Sequence, residues 1–324
     1  MQVTAGSAHF RGSGNGFLDD VLRGMSNEQK VLYSKYFYDD AGSRYFDQIC
    51  DLEEYYPYRT ELEMLPRVSR ELAGVIEEDI DLVEFGAGSL VKVRPVLENL
   101  GSVRRYVPID IAGEHLLKAS SRLREDFSGD DFRILPVEAD FTRDVELPAA
   151  LDAARDTVRL GFFPGSTIGN FSPEQARELL IRIRQVLGSE SWLLIGVDTK
   201  KSRSILHRAY NDADGVTARF NKNLLRRINR ELNANFNLDN FEHNAFYNES
   251  KGRIEMHLVS MDDQEVSIDG RVFNITRGET IHTENSYKYS LVEFSMLARR
   301  AGWSTHRQWQ DGNQLFSHHL LRVS

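Results

Sequence analysis

Two glycines and three carboxylates at the ends of apolar runs are the residues whose types and spacing are best placed to do chemistry. The run closing in Val83-Glu84-Phe85-Gly86-Ala87-Gly88-Ser89 carries Glu84 at its end, and the glycines that follow let the chain turn tightly. They also let a ligand approach the backbone with no Cβ in the way. A dinucleotide fingerprint needs a third glycine at position 91, which is Val91, and that argues against a pyrophosphate. Asp110 closes Arg105-Tyr106-Val107-Pro108-Ile109-Asp110, where a carboxylate can accept from both hydroxyls of a ribose. Asp140 closes the next run, placed to accept from the exocyclic amine of an adenine while Phe141 covers the ring. Each aspartate alone is equally explained as a cap on the helix after it. The ordered set fits a nucleoside.

Other constellations carry less. Gly165-Ser166-Thr167-Ile168-Gly169 has its serine adjacent to the first glycine, not central as a nucleophile elbow requires, so a hydrolase is not expected. His318-His319 and His282-Thr283-Glu284 place neighbours on opposite faces of a strand, and no HExxH helix exists, so no metal is expected. The runs Lys200-Lys201-Ser202-Arg203 and Arg226-Arg227 read as solvated helix faces.

The elements that must position these residues begin at Asp81. Short apolar runs (DLVEF, RRYVPI, FRILPV, TVRLGFF, SWLLIGV) alternate mostly with amphipathic stretches, the pattern of parallel β-α units. TVRLGFF is apolar on both faces and should be a central strand. After Asp198 the alternation stops for helical text around Arg203 to Leu232 and then RIEMHLVSM and QEVSIDGRVFNI, which alternate as antiparallel strands do. It returns with a helix ending at Gly302 and two further strands. The expected architecture is α/β: a doubly wound sheet over 61–200 plus 289–324, with an α+β unit of 17–60 plus 201–288 and a flexible tail at 1–16. A cleft between the two units is the expected site.

Composition narrows the partners. The chain has 324 residues and a net charge of −9, which repels phosphate backbones and anionic lipid, so neither nucleic acid nor membrane is expected. The start lacks a charged n-region and an apolar h-region, and the lone Cys50 allows no internal disulfide. A reducing, cytoplasmic setting is expected.

A strand ending in Glu followed by Gly-Ala-Gly resembles the first motif of class I S-adenosylmethionine-dependent methyltransferases. Beyond it, long stretches resemble the histidine Nα-methyltransferases of ergothioneine biosynthesis. They include Lys35-Tyr36-Phe37-Tyr38-Asp39, Phe46-Asp47-Gln48-Ile49, Glu54-Tyr55-Tyr56-Pro57, Gly165-Ser166-Thr167-Ile168-Gly169-Asn170, Arg208-Ala209-Tyr210, Phe220-Asn221, Asn229-Arg230-Glu231-Leu232, Arg253-Ile254-Glu255-Met256 and Thr283-Glu284. The resemblance implies a class I methyltransferase fold and S-adenosylmethionine as methyl donor, with contacts at Gly86, Lys92, Asp110, Asp140 and Phe141. It implies an amino-acid substrate at Tyr56, Asn170 and Tyr210, the last two gripping the carboxylate. It further implies Tyr38 beside the α-amino group, so that Tyr38 and Asn170 are the expected catalytic pair. The resemblance also places Met256 near the ring of the substrate and implies that Glu284 with Ser286 reads an imidazole.

The implied reaction is an in-line displacement, three times over, on the α-nitrogen of L-histidine, giving the trimethyl betaine hercynine. Such a transfer needs alignment and water exclusion more than a nucleophilic side chain. The attacking amine must be neutral, so the site has to disfavour the ammonium or receive its proton. Glu284 and Ser286, two apart in an extended segment, share a face and offer two oxygens to a ring with two nitrogens. An indole or a phenol leaves part of that pair unsatisfied, at a cost of ~1–3 kcal/mol. The alternatives are the same transfer to another aromatic amino acid such as tryptophan or tyrosine, or a binder of S-adenosylmethionine or the amino acid without turnover.

Overall fold

The computed structural model describes residues 15–127, 132–151 and 157–324. The first helix, α1 (Asn15–Met25), starts inside the expected 1–16 tail, whose residues 1–14 lie outside the described ones. The chain continues through β1 (Lys30–Val31), α2 (Asp40–Asp51) and α3 (Tyr56–Ala73). Then come β2 (Asp79–Phe85), α4 (Arg94–Asn99), β3 (Val103–Asp110), α5 (Gly113–Asp126), β4 (Arg133–Ile134), β5 (Val137–Glu138), β6 (Thr157–Phe163), α6 (Pro173–Leu187) and β7 (Trp192–Asp198). A second group follows: α7 (Arg203–Tyr210), α8 (Val216–Glu231), β8 (Phe241–Asn248), β9 (Arg253–Ser260), β10 (Gln264–Ile268), β11 (Arg271–Ile275) and β12 (Thr280–Tyr287). The chain closes with α9 (Leu291–Arg300), β13 (Trp303–Gln310) and β14 (Phe316–Val323).

The large sheet runs β13-β14-β7-β6-β2-β3-β4, with β5 also on β3. TVRLGFF forms β6, between β2 and β7, both parallel to it. Its Leu160, Phe162 and Phe163 are almost completely buried, with Leu160 and Phe162 in the core on one face and Phe163 in the core on the other. Burial on both faces selects this run for the centre, each large apolar side chain contributing about 1.5–3 kcal/mol. FRILPV does not form one strand. It splits into β4 and β5, each two residues long, on either side of Leu135-Pro136, because a proline has no N–H to give a ladder. At the far side β14 pairs antiparallel with both β7 and β13. One reversed strand inside an otherwise parallel, helix-covered sheet gives the α/β class I methyltransferase fold.

The smaller sheet has the order β1-β12-β9-β8, and β10-β11 form a separate hairpin. Its apolar face, with Ala245, Ile254, Met256, Leu258 and Ile281, packs in one core with α1, α7 and α8. Leu32, Phe37, Ile49 and Tyr56 join that core. The segment before the large sheet thus packs with the segment inserted after β7, and Lys30-Val31 pairs directly with Ile281-His282.

Candidate active site

A cavity of about 1200 Å³ lies where the C-terminal ends of β2, β3 and β7 meet the smaller sheet. Its nucleoside end is built on the turn after β2. Gly86 and Gly88 both have positive φ (73° and 55°), and a Cβ on Gly86 would meet the Phe141 ring at 3.3 Å. The Gly88 and Ala112 N–H groups each donate to one oxygen of Asp110 at 2.9 Å, fixing the carboxylate with lone pairs left over for a diol. Asp140 accepts from the Thr142 N–H at 3.0 Å, while Lys35 and Arg143 stand 3.8 and 3.7 Å from its other oxygen. Phe141 leans edge-on against Phe163, ring centroids 5.5 Å apart. This donor and acceptor set fits an adenosine.

Lys92 lines the same end and lies 2.7 Å from Glu61. Glu61 is fully buried and also accepts from the Gly165 N–H at 2.9 Å. Burial alone raises its carboxyl, but Lys92 and His318 outweigh burial and hold it at about 2. One carboxylate contact leaves the Lys92 ammonium with donors for a second anion. Glu84 behaves oppositely: burial lifts it to about 8, against the hydrogen bond from the Tyr106 hydroxyl. At neutral pH it carries a proton.

The other end of the cavity is lined by Tyr38, Phe46, Tyr55, Asn170, Tyr210, Phe220, Met256, Glu284 and Ser286, among others. Asn170 ends the 3-10 turn Thr167–Asn170. The turn is entered through Ser166, a non-glycine at φ 52°, whose hydroxyl accepts from the Asp198 N–H at 2.9 Å. A left-handed serine costs about 1–3 kcal/mol and is held here by that bond. A Cβ on Gly169 would lie 2.8 Å from the Tyr287 carbonyl oxygen, so the missing side chain is what lets this loop press against β12. In the ladder Glu284 stands opposite Met256 and Ser286 opposite Ile254. A register shift between His282 and Glu284 re-aims the strand there. Burial pushes Glu284 up to about 7, opposed by the nearby Lys288 charge. Tyr38 packs edge-on against Phe46 and Phe220, and burial raises its hydroxyl well above the usual range, so it is a neutral hydroxyl and not a base.

Three placements differ from expectation. Tyr56 does not line the cavity; Tyr55 does. The Tyr56 hydroxyl is taken up by its neighbours, donating to Asp198 (2.9 and 2.8 Å) and accepting from Lys201 at 2.8 Å. The cause is helical: α3 starts at Tyr56, which turns successive side chains to different faces. Tyr210 does line the cavity, but its hydroxyl is turned to Ser286, donating to Oγ at 2.8 Å and accepting from Lys288 at 3.0 Å. Lys201, expected in a solvated run, has a side chain only 5% exposed and pairs with Asp198; burial lowers it to about 8.

Sequence reasoning missed Lys288, whose side chain is wholly buried 2.6 Å from Asp198, and missed Asp198 itself. Asp198 ends an apolar run just as Asp110 and Asp140 do, and that signal was present. Glu255, His257 and His282 bring ligand atoms within 4.8 Å of one another. The two imidazoles are stacked, with planes only 8° from parallel, so no ion can lie in both planes and take both lone pairs. Glu255 is moreover held by Arg253 at 2.6 Å.

Comparison with known proteins follows the same lines. The sequence profile of the histidine-specific, S-adenosylmethionine-dependent methyltransferases matches residues 17–323. A histidine N-alpha-methyltransferase of Mycobacterium tuberculosis is 38% identical over 298 residues, covering 90% of each chain. A protein of the same name from Mycolicibacterium smegmatis is 37% identical, again over 90% of both. More distant, at 25% identity over 90% of this chain and 89% of the relative, is a 4-dimethylallyltryptophan N-methyltransferase of Aspergillus fumigatus. A match that runs through both sheets and all the loops around the cavity makes this chain a member of the histidine-specific, S-adenosylmethionine-dependent methyltransferase family.

Proposed function

We propose that this protein transfers three methyl groups in succession from S-adenosylmethionine to the α-amino nitrogen of L-histidine, giving hercynine for ergothioneine biosynthesis. The observation that carries the reading is one cavity with a nucleoside cradle at one end and a Glu284/Ser286 pair at the other, in a chain matching histidine N-alpha-methyltransferases over nine-tenths of its length. The sulfonium, when bound, supplies an activated methyl group. Asp110 takes the ribose hydroxyls, Asp140 the adenine amine and Lys92 the carboxylate of the methionine part, with Gly86 and Phe141 shaping the cradle. The unit of 17–60 plus 201–288 contributes most of the amino-acid end.

The protein's own share of the chemistry is alignment and dryness. The Asn170 amide donates to the substrate carboxylate without adding a second cation. The Tyr38 hydroxyl, neutral throughout, accepts from the α-amine and turns its lone pair toward the methyl. Phe46, Phe220, Tyr55 and Met256 exclude water, which lowers the pKa of the amine and favours its attacking form. Glu284 accepts the ring N–H, and the Ser286 hydroxyl meets the other nitrogen. Tyr210 bounds the ring pocket in this reading, in place of the carboxylate grip.

The test is a mass-spectrometric assay of the twenty amino acids with S-adenosylmethionine, following mass gains of one, two and three methyl groups. Trimethylation of histidine above all others is expected. Preference for tryptophan or tyrosine would move the substrate within the family, and binding without turnover would remove the catalytic reading.

A further inference from the structure

Lys288 has no established part in this site and does not line the cavity, yet it touches three residues that do. Its Nζ lies 2.7 Å from Ser286 Oγ, 3.0 Å from the Tyr210 hydroxyl and 2.6 Å from Asp198 Oδ2, with the side chain completely buried. An ammonium has three protons and no lone pair, so it can only donate to all three. The Tyr210 hydroxyl, accepting from Lys288, passes its own proton to Ser286 Oγ at 2.8 Å. That direction follows from acidity, since a phenol is the better donor and an alkyl hydroxyl the better acceptor. Ser286 Oγ then receives two hydrogen bonds, one from the lysine and one from the tyrosine. A hydroxyl oxygen has two lone pairs. Both are used, and its single proton has nowhere to go but outward.

We propose that Lys288 is a positioning residue that makes Ser286 a donor only, so that the pair accepts one tautomer of a neutral imidazole: N–H toward Glu284, lone pair toward Ser286. This rests on the reading of Glu284 and Ser286 as the ring-binding pair. Lys288 acts on the substrate only through Ser286 and Tyr210. The groups around it are Asp198 at the end of β7, Lys201 beyond it, Tyr56 from α3, Tyr210 from α7 and Glu284 from β12, the strand it follows. Asp198 answers the lysine charge, and the serine and tyrosine share what remains of its donors. Without the ammonium, Ser286 regains a lone pair and can turn its proton back to Tyr210, and the ring is read by Glu284 alone.

The probe is a pyrrole analogue of histidine, which keeps one ring N–H and has C–H in place of the lone-pair nitrogen. The parent protein should prefer histidine to it by ~10–100-fold in kcat/KM, the value of a buried hydrogen bond whose donor is left unpaired. In Lys288→Met that preference should fall about tenfold. The change should sit in KM for histidine and not in kcat. Lys288→Arg, which keeps charge and donors, should restore part of it. Should Lys288→Met fail to fold with Asp198 unpaired, Lys288→Met combined with Asp198→Asn removes the stranded carboxylate and carries the same expectation. Ser286→Ala separates the two ideas. If Ser286→Ala keeps the full preference, the ring-binding reading is wrong whatever Lys288 does. If Ser286→Ala loses the preference and Lys288→Met keeps it, the role given to Lys288 is overturned.

Discussion

Replacing Glu284 by Gln tests the ring-binding carboxylate through its charge. Burial holds this group at about 7 in the free protein, so it is half ionised at neutral pH. The fraction able to accept a ring N–H as a carboxylate is about one-eleventh at pH 6 and about ten-elevenths at pH 8, a tenfold change for a single titration. A glutamine keeps an acceptor oxygen and does not titrate. Above pH 8 it exchanges a charge-assisted hydrogen bond for a neutral one, a loss of about 1–1.5 kcal/mol or roughly tenfold. The parent loses the same factor on going to pH 6. The profiles of kcat/KM for histidine should therefore lie about tenfold apart at pH 8 and converge near pH 6. The assay is the initial rate of methyl transfer at limiting histidine and saturating S-adenosylmethionine from pH 5.5 to 8.5. Dividing one profile by the other cancels every group the two proteins share, including the imidazole and amine of the substrate. A quotient that stays flat across this range, or that grows toward acid pH, would refute the assignment.

Asp110→Ala should weaken S-adenosylmethionine binding by ~1–3 kcal/mol in calorimetry, the scale of a charge-assisted hydrogen bond; unchanged affinity removes the ribose assignment. Asn170→Ala should raise the KM for histidine without weakening the methyl donor, and should narrow the gap between histidine and histamine, which has no carboxylate. Equal methylation of the two amines by the parent protein would dispose of the carboxylate grip. Glu84 binds a proton up to about pH 8 when folded, whereas an unfolded carboxyl releases it near pH 4.5. Through that window the native state holds the extra proton, so stability falls as pH rises. Glu84→Gln does not titrate, and the melting temperature of the parent relative to this variant should drop between pH 5 and pH 8. A constant difference would mean that Glu84 is ionised in the fold.

What was legible in the sequence was what periodicity and turn chemistry encode. DLVEF, RRYVPI, TVRLGFF and SWLLIGV declare themselves by composition, and Gly86 and Gly88 mark the turn after the first of them. FRILPV was misread because its proline breaks a ladder that its apolar residues favour. Asp110 is readable at a strand end because the fold puts such ends around one cavity. Tyr55 and Tyr56 are not separable by type, and only the start of α3 decides which faces inward. Lys201 sits in a run of polar residues that resembles any solvated turn, and nothing local reveals that Asp198 draws it in. Lys288 follows the strand end at Tyr287 and reads as an ordinary surface lysine, yet its partners come from β7 and α7, far away in the chain.

That cluster explains how a unit inserted after β7 can hold an amine against a methyl group bound on the large sheet. Transfer needs the reacting atoms roughly 3–3.5 Å apart and in line, so the two sheets cannot drift. Asp198 at the end of β7 is bonded through its carboxylate to Tyr56 of α3 and Lys288 beyond β12, and through its N–H to Ser166 of the Asn170 loop. Beyond it, Thr199 bridges Tyr289, and Gly169 lets the loop touch Tyr287. One strand end of the large sheet thus fixes the Asn170 loop and the strand that carries Glu284 and Ser286 together. Such buried charges are poor sources of stability, because desolvation offsets most of their attraction. Lys201 and Lys288 are matched by Asp198 and an ionised Glu284, which balances the cluster only while Glu284 is charged. A neutral imidazole preserves that balance, whereas an imidazolium adds a buried positive charge and meets a serine with no lone pair left. The same arrangement that aligns the substrate therefore also selects its protonation state.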